Sequence, residues 1–228
     1  MLQYKIINAR LGKHKNPVQI GIKDGYIHEI SEQVNASAEA IYDANNNWVS
    51  PGFFESHIDL DKACILDRCN IEEGTLEEAV KETSKAKKDF TEVDVFKRAS
   101  QVVEMAIKKG TMGMRTFVET DPKTKLRAFN AIKKVKEKYA FAIDIQICAF
   151  AQEGLTDNEE TQTLLEKALQ YGAEVVGGCP YKDKNPNKHI EMILDLAEKY
   201  DIDADFHLDF DLNPEDSSIP KLVEETIK

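Results

Sequence analysis

Residues 48–62 read WVSPGFFESHIDLDK, and this segment separates two kinds of sequence pattern. Before it, three short apolar runs are separated by turns: 4–9, 17–22 and 26–30. Asp24 and Gly25, between the last two runs, are a strong signal for a two-residue hairpin, because glycine tolerates a positive φ. We therefore predict a small β-domain over residues 1–47.

From residue 48 onward, short apolar runs alternate with charged stretches of helical period, which is typical of strand–helix units on a parallel sheet. The five predicted strands are 48–57, 113–118, 142–150, 174–178 and 203–209. The predicted helices are 76–88, 93–109, 125–138, 161–171, 190–200 and one from about 220. Residues 48–228 form the second predicted domain. Its periodicity suits either an open doubly wound sheet or an unfinished eight-stranded barrel.

Composition narrows the class of protein. The 228 residues are 42% hydrophobic, which is enough for one sizeable core. With 30 basic and 41 acidic residues, the net charge of -11 would repel a phosphate backbone and argues against a nucleic-acid partner. The sequence shows neither a membrane-spanning run nor a signal pattern, so we expect a cytoplasmic protein. Among four cysteines without C-x-x-C spacing, Cys148 and Cys179 are expected to be buried thiols.

Two histidines stand at the ends of predicted strands. His57 and Asp59 are two residues apart, so strand alternation points both side chains to one face, where one divalent ion could contact them. His207 ends the fifth strand, and in parallel barrels the chemistry collects at the carboxyl ends of strands. A strand-end histidine is also an ordinary hydrogen-bonding residue, so spacing alone leaves both interpretations open.

Other polar residues carry weaker signals. Gln152 follows the third strand, and its amide suits the edge of an amide or a pyrimidine, although a loop-capping role is the alternative. Arg115 and Thr116 lie within the second strand, where they are either substrate contacts or polar filling of a barrel; we favour filling. His14, His28 and His189 are predicted to be surface residues.

Several blocks, in order along the chain, resemble the cytosine deaminase-like branch of the amidohydrolase superfamily: Pro51-Gly52-Phe53 before 57–62, then 114–116, 149–154, 175–178 and 206–209. The resemblance implies an incomplete TIM-type (β/α) barrel of about five strand–helix units after a small β-domain. It also implies one divalent metal, zinc or iron, that activates water to attack a carbon bearing nitrogen. The implied metal ligands are His57, Asp59 and His207, and Gln152 is the implied substrate contact.

The sequence departs from the family pattern in three respects. Asp59 stands where the family's His-x-His motif has its second histidine, and a carboxylate binds zinc or iron with altered charge and geometry. Phe210 stands three residues after His207, at the position of the family's glutamate acid/base. Asp209 or Asp211 is the predicted partial substitute in catalysis. The family's ligands from strands six and eight fall beyond the end of this chain.

These observations lead to two hypotheses of different classes. The first is a metal-dependent hydrolase, a deaminase or amidohydrolase, that acts on a carbon–nitrogen bond of a cyclic amide or amidine and is impaired in this chain. The second is a non-catalytic half-barrel that binds or scaffolds and forms a homo-oligomer to cover its open sheet edge. Metal content separates the two hypotheses.

Overall fold

The computed structural model describes residues 1–210 and 213–227, apart from the side chain of Leu76. The chain divides into two compact units, Met1–Gly52 and Phe53–Lys228. The first unit contains four strands: β1 Leu2–Ala9, β2 Val18–Lys23, β3 Tyr26–Ser31 and β4 Ala38–Asp43. Their order in the sheet is β3-β2-β1-β4.

The predicted hairpin joins β2 and β3. Asp24 and Gly25 have φ angles of 53° and 79°, and the two flanking strands pair antiparallel. This part of the sequence prediction is therefore confirmed. β4 was not predicted. It pairs parallel with β1, and no local turn signal in the sequence indicates this pairing. Ala9, Val18 and Ile20 form the small core of this unit.

The second unit is an incomplete TIM-type barrel, as the fold-class prediction states. Its strands are β5 Phe53–Ile58, β6 Thr111–Glu119, β7 Asp144–Ala151, β8 Val175–Gly178 and β9 Asp203–Phe206. Its helices are α1 Leu76–Ala86, α2 Glu92–Lys108, α3 Arg127–Tyr139, α4 Glu159–Gln170, α5 Pro186–Tyr200 and α6 Ile219–Ile227. The five strands are parallel and lie in chain order. In the described ranges, none of the helices is long and apolar enough to cross a membrane.

Alternation along the strands gives the sheet two different faces. Met114 and Val118 of β6 belong to the main core, which includes residues from α2 to α5. The intervening Phe117 joins a smaller cluster on the other face, together with the predicted buried thiols of Cys148 and Cys179. We refer to this second face as the inner face of the barrel.

Arg115 lies on the same inner face. Its guanidinium donates to Gln146 Oε1 and to Asp205 Oδ2, both at 2.7 Å, and so links β6 to β7 and β9. These contacts support the interpretation of Arg115 as polar filling of the barrel.

His189 corrects a sequence prediction, because it is fully buried and not a surface residue. It lies in the first turns of α5, beside the core residue Ile190, so the helix turns it towards the sheet. Its Nδ1 contacts the carboxylate of Asp183, which satisfies that nitrogen, while Nε2 has no hydrogen-bond partner among the described residues. Desolvation lowers the pKa of His189, although the hydrogen bond with Asp183 opposes this change.

Candidate active site

Curvature of the five-stranded sheet brings His57 and His207 together. In a flat sheet, β5 and β9 would lie about 19 Å apart, at roughly 4.8 Å for each neighbouring pair. The two imidazole centroids are instead 4.7 Å apart, with ring planes inclined by 33°. Phe117 contacts His57 at 4.4 Å, and Phe150 contacts His207 at 4.5 Å, between ring centroids. We call His57, Phe117, Phe150 and His207 the ring cluster.

Two buried atoms beside the ring cluster lack a hydrogen-bond partner within the described residues: Asp59 Oδ1 and His207 Nε2. Leaving such an atom unsatisfied costs about 1–3 kcal/mol. Asp61 Oδ1, Ser100 Oγ and His189 Nε2 are also unpartnered there, so the position of Asp59 and His207 beside His57, and not the missing partner alone, makes these two atoms candidate ligand atoms. Burial and the nearby His57 lower the pKa of His207, which favours the neutral imidazole that binds metals. Carboxylate oxygen and imidazole nitrogen are ligand types for zinc and iron. The donor types of these residues therefore suit a bound metal.

Lys62 provides a positive charge beside Asp59. Its Nζ lies 3.7 Å from Asp59 Oδ1 and 4.0 Å from Glu119 Oε2. The lysine side chain is only 13% exposed, so its ammonium acts in a medium where water screens it weakly. Lys62 compensates the charge of Asp59 without hydrogen-bonding to Asp59 Oδ1.

A second polar group occupies the ends of β6 and β7. Glu119, Asp121 and Glu153 are, among the described residues, the three ligand-type side chains whose donor atoms lie within 4.8 Å of one another. The donor atoms of the predicted metal ligands His57, Asp59 and His207 do not form a group this close. The cation position among the three carboxylates is taken by Lys87, whose Nζ lies 2.5 Å from Glu119 Oε1, 2.5 Å from Glu153 Oε1 and 3.5 Å from Asp121 Oδ2. We call these four residues the lysine–carboxylate network.

The pKa values of two carboxyl groups in the network are shifted in opposite directions. Burial raises the pKa of Glu119 to about 8, although Lys62 opposes this change. Burial would also raise the pKa of Asp121, but hydrogen bonds from Glu119 and from the backbone of Thr124 lower it overall. Near neutral pH, Glu119 therefore keeps its proton and donates it to the ionised Asp121.

Sequence reasoning did not select the network. Its three carboxylates follow strands, where barrel chemistry collects, so that rule could have pointed to them. Lys87 gave no signal, because it stands beside the exposed Lys85 and Lys88 in a lysine-rich segment. Only the packing of the chain makes it the buried member.

Gln152 follows β7 at the edge of a cavity of about 960 Å³. Its Nε2 donates to Cys179 Sγ at 3.2 Å, which holds the amide in place. Tyr181 and Phe210 also line this cavity, and their rings stack with centroids 5.1 Å apart and planes inclined by 17°. The described residues that line it do not include the predicted metal ligands.

Of the two predicted catalytic aspartates, the structure describes Asp209 and not Asp211. Asp209 has a φ of 51°, and its two carboxylate oxygens accept hydrogen bonds at 2.7 Å from Ser217 Oγ and the backbone N–H of Ser218. The carboxylate thus holds the turn before α6, and a catalytic role for Asp209 stays a prediction. Asp211 lies outside the described residues.

Comparisons with known proteins support the fold. No family model matches the chain. N-isopropylammelide isopropyl amidohydrolase from Pseudomonas sp. (strain ADP) is 30% identical over 210 residues, which cover 89% of this chain and 52% of that protein. The structure of 5-methylcytosine deaminase from Klebsiella pneumoniae, liganded with 5-fluorocytosine, superposes with a TM-score of 0.87 at 35% identity and covers 97% of this chain and 55% of that one. The chain matches the cytosine deaminase-like branch of the amidohydrolase superfamily.

Another solved protein shares the fold of this amidohydrolase-superfamily chain. N-isopropylammelide isopropylaminohydrolase from Burkholderia multivorans has a TM-score of 0.87 at 24% identity and covers all of this chain and 58% of that one. The chain spans about half the length of the relatives that it matches.

Proposed function

We propose that the chain carries part of a metal-dependent site that hydrolyses a carbon–nitrogen bond of a cyclic amide or amidine. The observation that carries the proposal is the meeting of His57 and His207 beside two buried, unpartnered donor atoms, Asp59 Oδ1 and His207 Nε2. His57, Asp59 and His207 would hold zinc or iron. When bound, such a metal supplies an activated water.

Residues of the chain prepare this site in three ways. Burial lowers the pKa of His207, which favours the neutral imidazole with an available nitrogen lone pair. Phe117 and Phe150 cover His207 with apolar rings and limit access of bulk water. Gln152, held by Cys179, presents an amide that matches the donor and acceptor pattern of a pyrimidine or triazine edge. The names of the relatives, a 5-methylcytosine deaminase and an N-isopropylammelide amidohydrolase, support a ring substrate of this class.

We further propose that turnover by the chain alone is low. Phe210, at the position of the family's glutamate, has no proton to donate or accept, and the Asp209 carboxylate is engaged by Ser217 and Ser218. Loss of a general acid/base typically reduces the rate by about 10²–10⁴-fold. The Asp59→His/Phe210→Glu double variant should therefore release more ammonia from cytosine, 5-methylcytosine or aminotriazines than the wild type does. Equal, robust release by the wild-type chain would contradict the proposed impairment.

Metal content tests the site itself. We expect the purified chain, after dialysis against zinc, to retain about one metal per chain by elemental analysis. Asp59→Asn and His207→Phe should each lose most of that metal, because each removes a proposed ligand. His28→Ala, in the small β-domain, is the matched control and should retain it. Retention by all variants, or by none of the proteins, would overturn the metal site.

A further inference from the structure

The cavity beside Gln152 has a charge balance opposite to that of the whole chain. Its volume of about 960 Å³ lies within the range of roughly 300–1,000 Å³ that is usual for small-molecule sites. Residues 77, 80, 81, 84, 85 and 88 line it at helical spacing, from one face of α1 and the turn that follows. The loops after β7, β8 and β9 supply Gln152, Glu153, Tyr181, Lys182 and Phe210. We call this cavity the lysine cleft.

Ion pairs compensate part of the charge in the lysine cleft. Lys85 forms an ion pair with Glu82, and Glu153 is bound by Lys87 and Lys123. These residues therefore contribute little net field to a ligand, since each charge is already compensated by a close partner.

Among the described residues that line the cleft, the remaining charged side chains are Lys81, Lys88 and Lys182, with Glu77 as the one acidic residue outside these pairs. The balance of charges is thus positive, whereas the chain as a whole carries a net charge of -11. A local excess of lysine within a concave surface raises the concentration of anions there. This excess points to an anionic ligand.

The cleft also offers an apolar, flat surface. Phe210 is 52% exposed and stacks on Tyr181, so an aromatic face is available beside the amide of Gln152. Stacking on such a face suits a planar heterocycle, and the amide suits the edge of that ring. Stacking, amide recognition and positive charge therefore occur in one cavity.

We propose that the lysine cleft binds a planar cyclic amide that carries a carboxylate, with the ring on Phe210 and Tyr181 and the carboxylate towards Lys81, Lys88 and Lys182. This inference rests on the proposed function, for which it names the substrate class as anionic. Phe210, which has no role as an acid or base, becomes a specificity residue for the ring.

Binding of two matched probes tests the proposal without requiring metal or turnover. Orotate and uracil share a pyrimidine ring and differ by one carboxylate, so the ratio of their dissociation constants isolates the charge. We expect orotate to bind the metal-free full chain at least ten-fold more tightly than uracil at low salt. The Lys81→Gln/Lys88→Gln variant should reduce this preference at least five-fold, while Lys97→Gln, on the exposed surface of α2, should leave it unchanged. Phe210→Ala should weaken both probes by the same factor.

Equal affinity for orotate and uracil would overturn the anionic substrate class. The same conclusion would follow if the double lysine variant behaved like Lys97→Gln. Unchanged affinities in Phe210→Ala would show that the ring does not bind at this face. Because these measurements use metal-free protein, they succeed or fail independently of the metal analysis that tests the proposed function.

Discussion

The ring cluster and the lysine–carboxylate network both lie at the carboxyl ends of the strands, yet they differ in how their polar atoms are satisfied. His207 Nε2 and the adjacent Asp59 Oδ1 are buried without a partner in the described part of the chain. In the network, the ammonium of Lys87 donates hydrogen bonds to carboxyl oxygens of Glu119, Asp121 and Glu153. The two unsatisfied atoms beside His57 are free to bind a ligand, whereas the charges of the network already have partners within the protein.

The two groups should therefore respond to mutation with opposite signs. Removing a member of a saturated buried network leaves its partners uncompensated and destabilises the fold. Removing an unsatisfied buried atom removes its desolvation cost and so stabilises the fold, but it also removes a proposed ligand atom and reduces function. Natural proteins commonly accept such local instability at functional sites.

The largest expected effect is that of Lys87→Met. This change leaves the ionised Asp121 buried without its cation and removes the hydrogen bond between Lys87 and Glu119, and breaking a buried pair in this way costs about 3–5 kcal/mol. We expect the free energy of unfolding, measured with urea, to fall by that amount. Lys85→Met is the matched control, because Lys85 is exposed and its pair with Glu82 is worth at most about 1 kcal/mol. Similar losses in both variants would show that the network has no special structural role.

A smaller effect of opposite sign is expected for His207→Phe. Phenylalanine keeps the ring contacts with Phe117 and Phe150 and removes the unpartnered nitrogen, so the metal-free protein should gain about 1 kcal/mol. Zinc at 100 times its dissociation constant should stabilise the wild type by about 2.7 kcal/mol and leave the variant unchanged. A loss of stability in the metal-free variant would contradict the idea of a site kept for a ligand.

Acid should also act on His207 in the metal-free wild type. The folded pKa of His207 lies below its ordinary value of 6.5, so the unfolded chain binds the proton more readily. Stability should therefore fall as the pH drops below about 6.5. The decrease should be shallower in His207→Phe, as followed by urea midpoints between pH 7 and 5. Identical decreases would exclude a contribution from this histidine.

The sequence predicted those features that depend on local pattern or on strand order. The Asp24–Gly25 hairpin follows from two residues, and the approach of His57 to His207 follows from their places at strand ends in a curved parallel sheet. The β4 strand was missed because its parallel partner, β1, is distant along the chain. Lys87 and His189 were missed for a common reason. Their burial depends on carboxylates that folding brings to them, and a single lysine or histidine in the sequence does not reveal such a partner.

A comparison across pH separates charge from hydrogen bonding within the network. Because the folded pKa of Glu119 is about 8 and its ordinary value is 4.5, the folded protein holds a proton that the unfolded chain has lost between these pH values. The contribution of Glu119 to stability therefore falls as the pH rises through this window. Glu119→Gln mimics the protonated acid, so it should match the wild type within about 1 kcal/mol at pH 5 and lose stability less steeply towards pH 8.5. Glu137→Gln, at the exposed surface of α3, should follow the wild type at every pH. Glu119→Gln could instead destabilise the protein as much as Lys87→Met does at pH 5. Glu119 would then be the ionised partner of Lys87, and the assignment of a proton to Glu119 would be wrong.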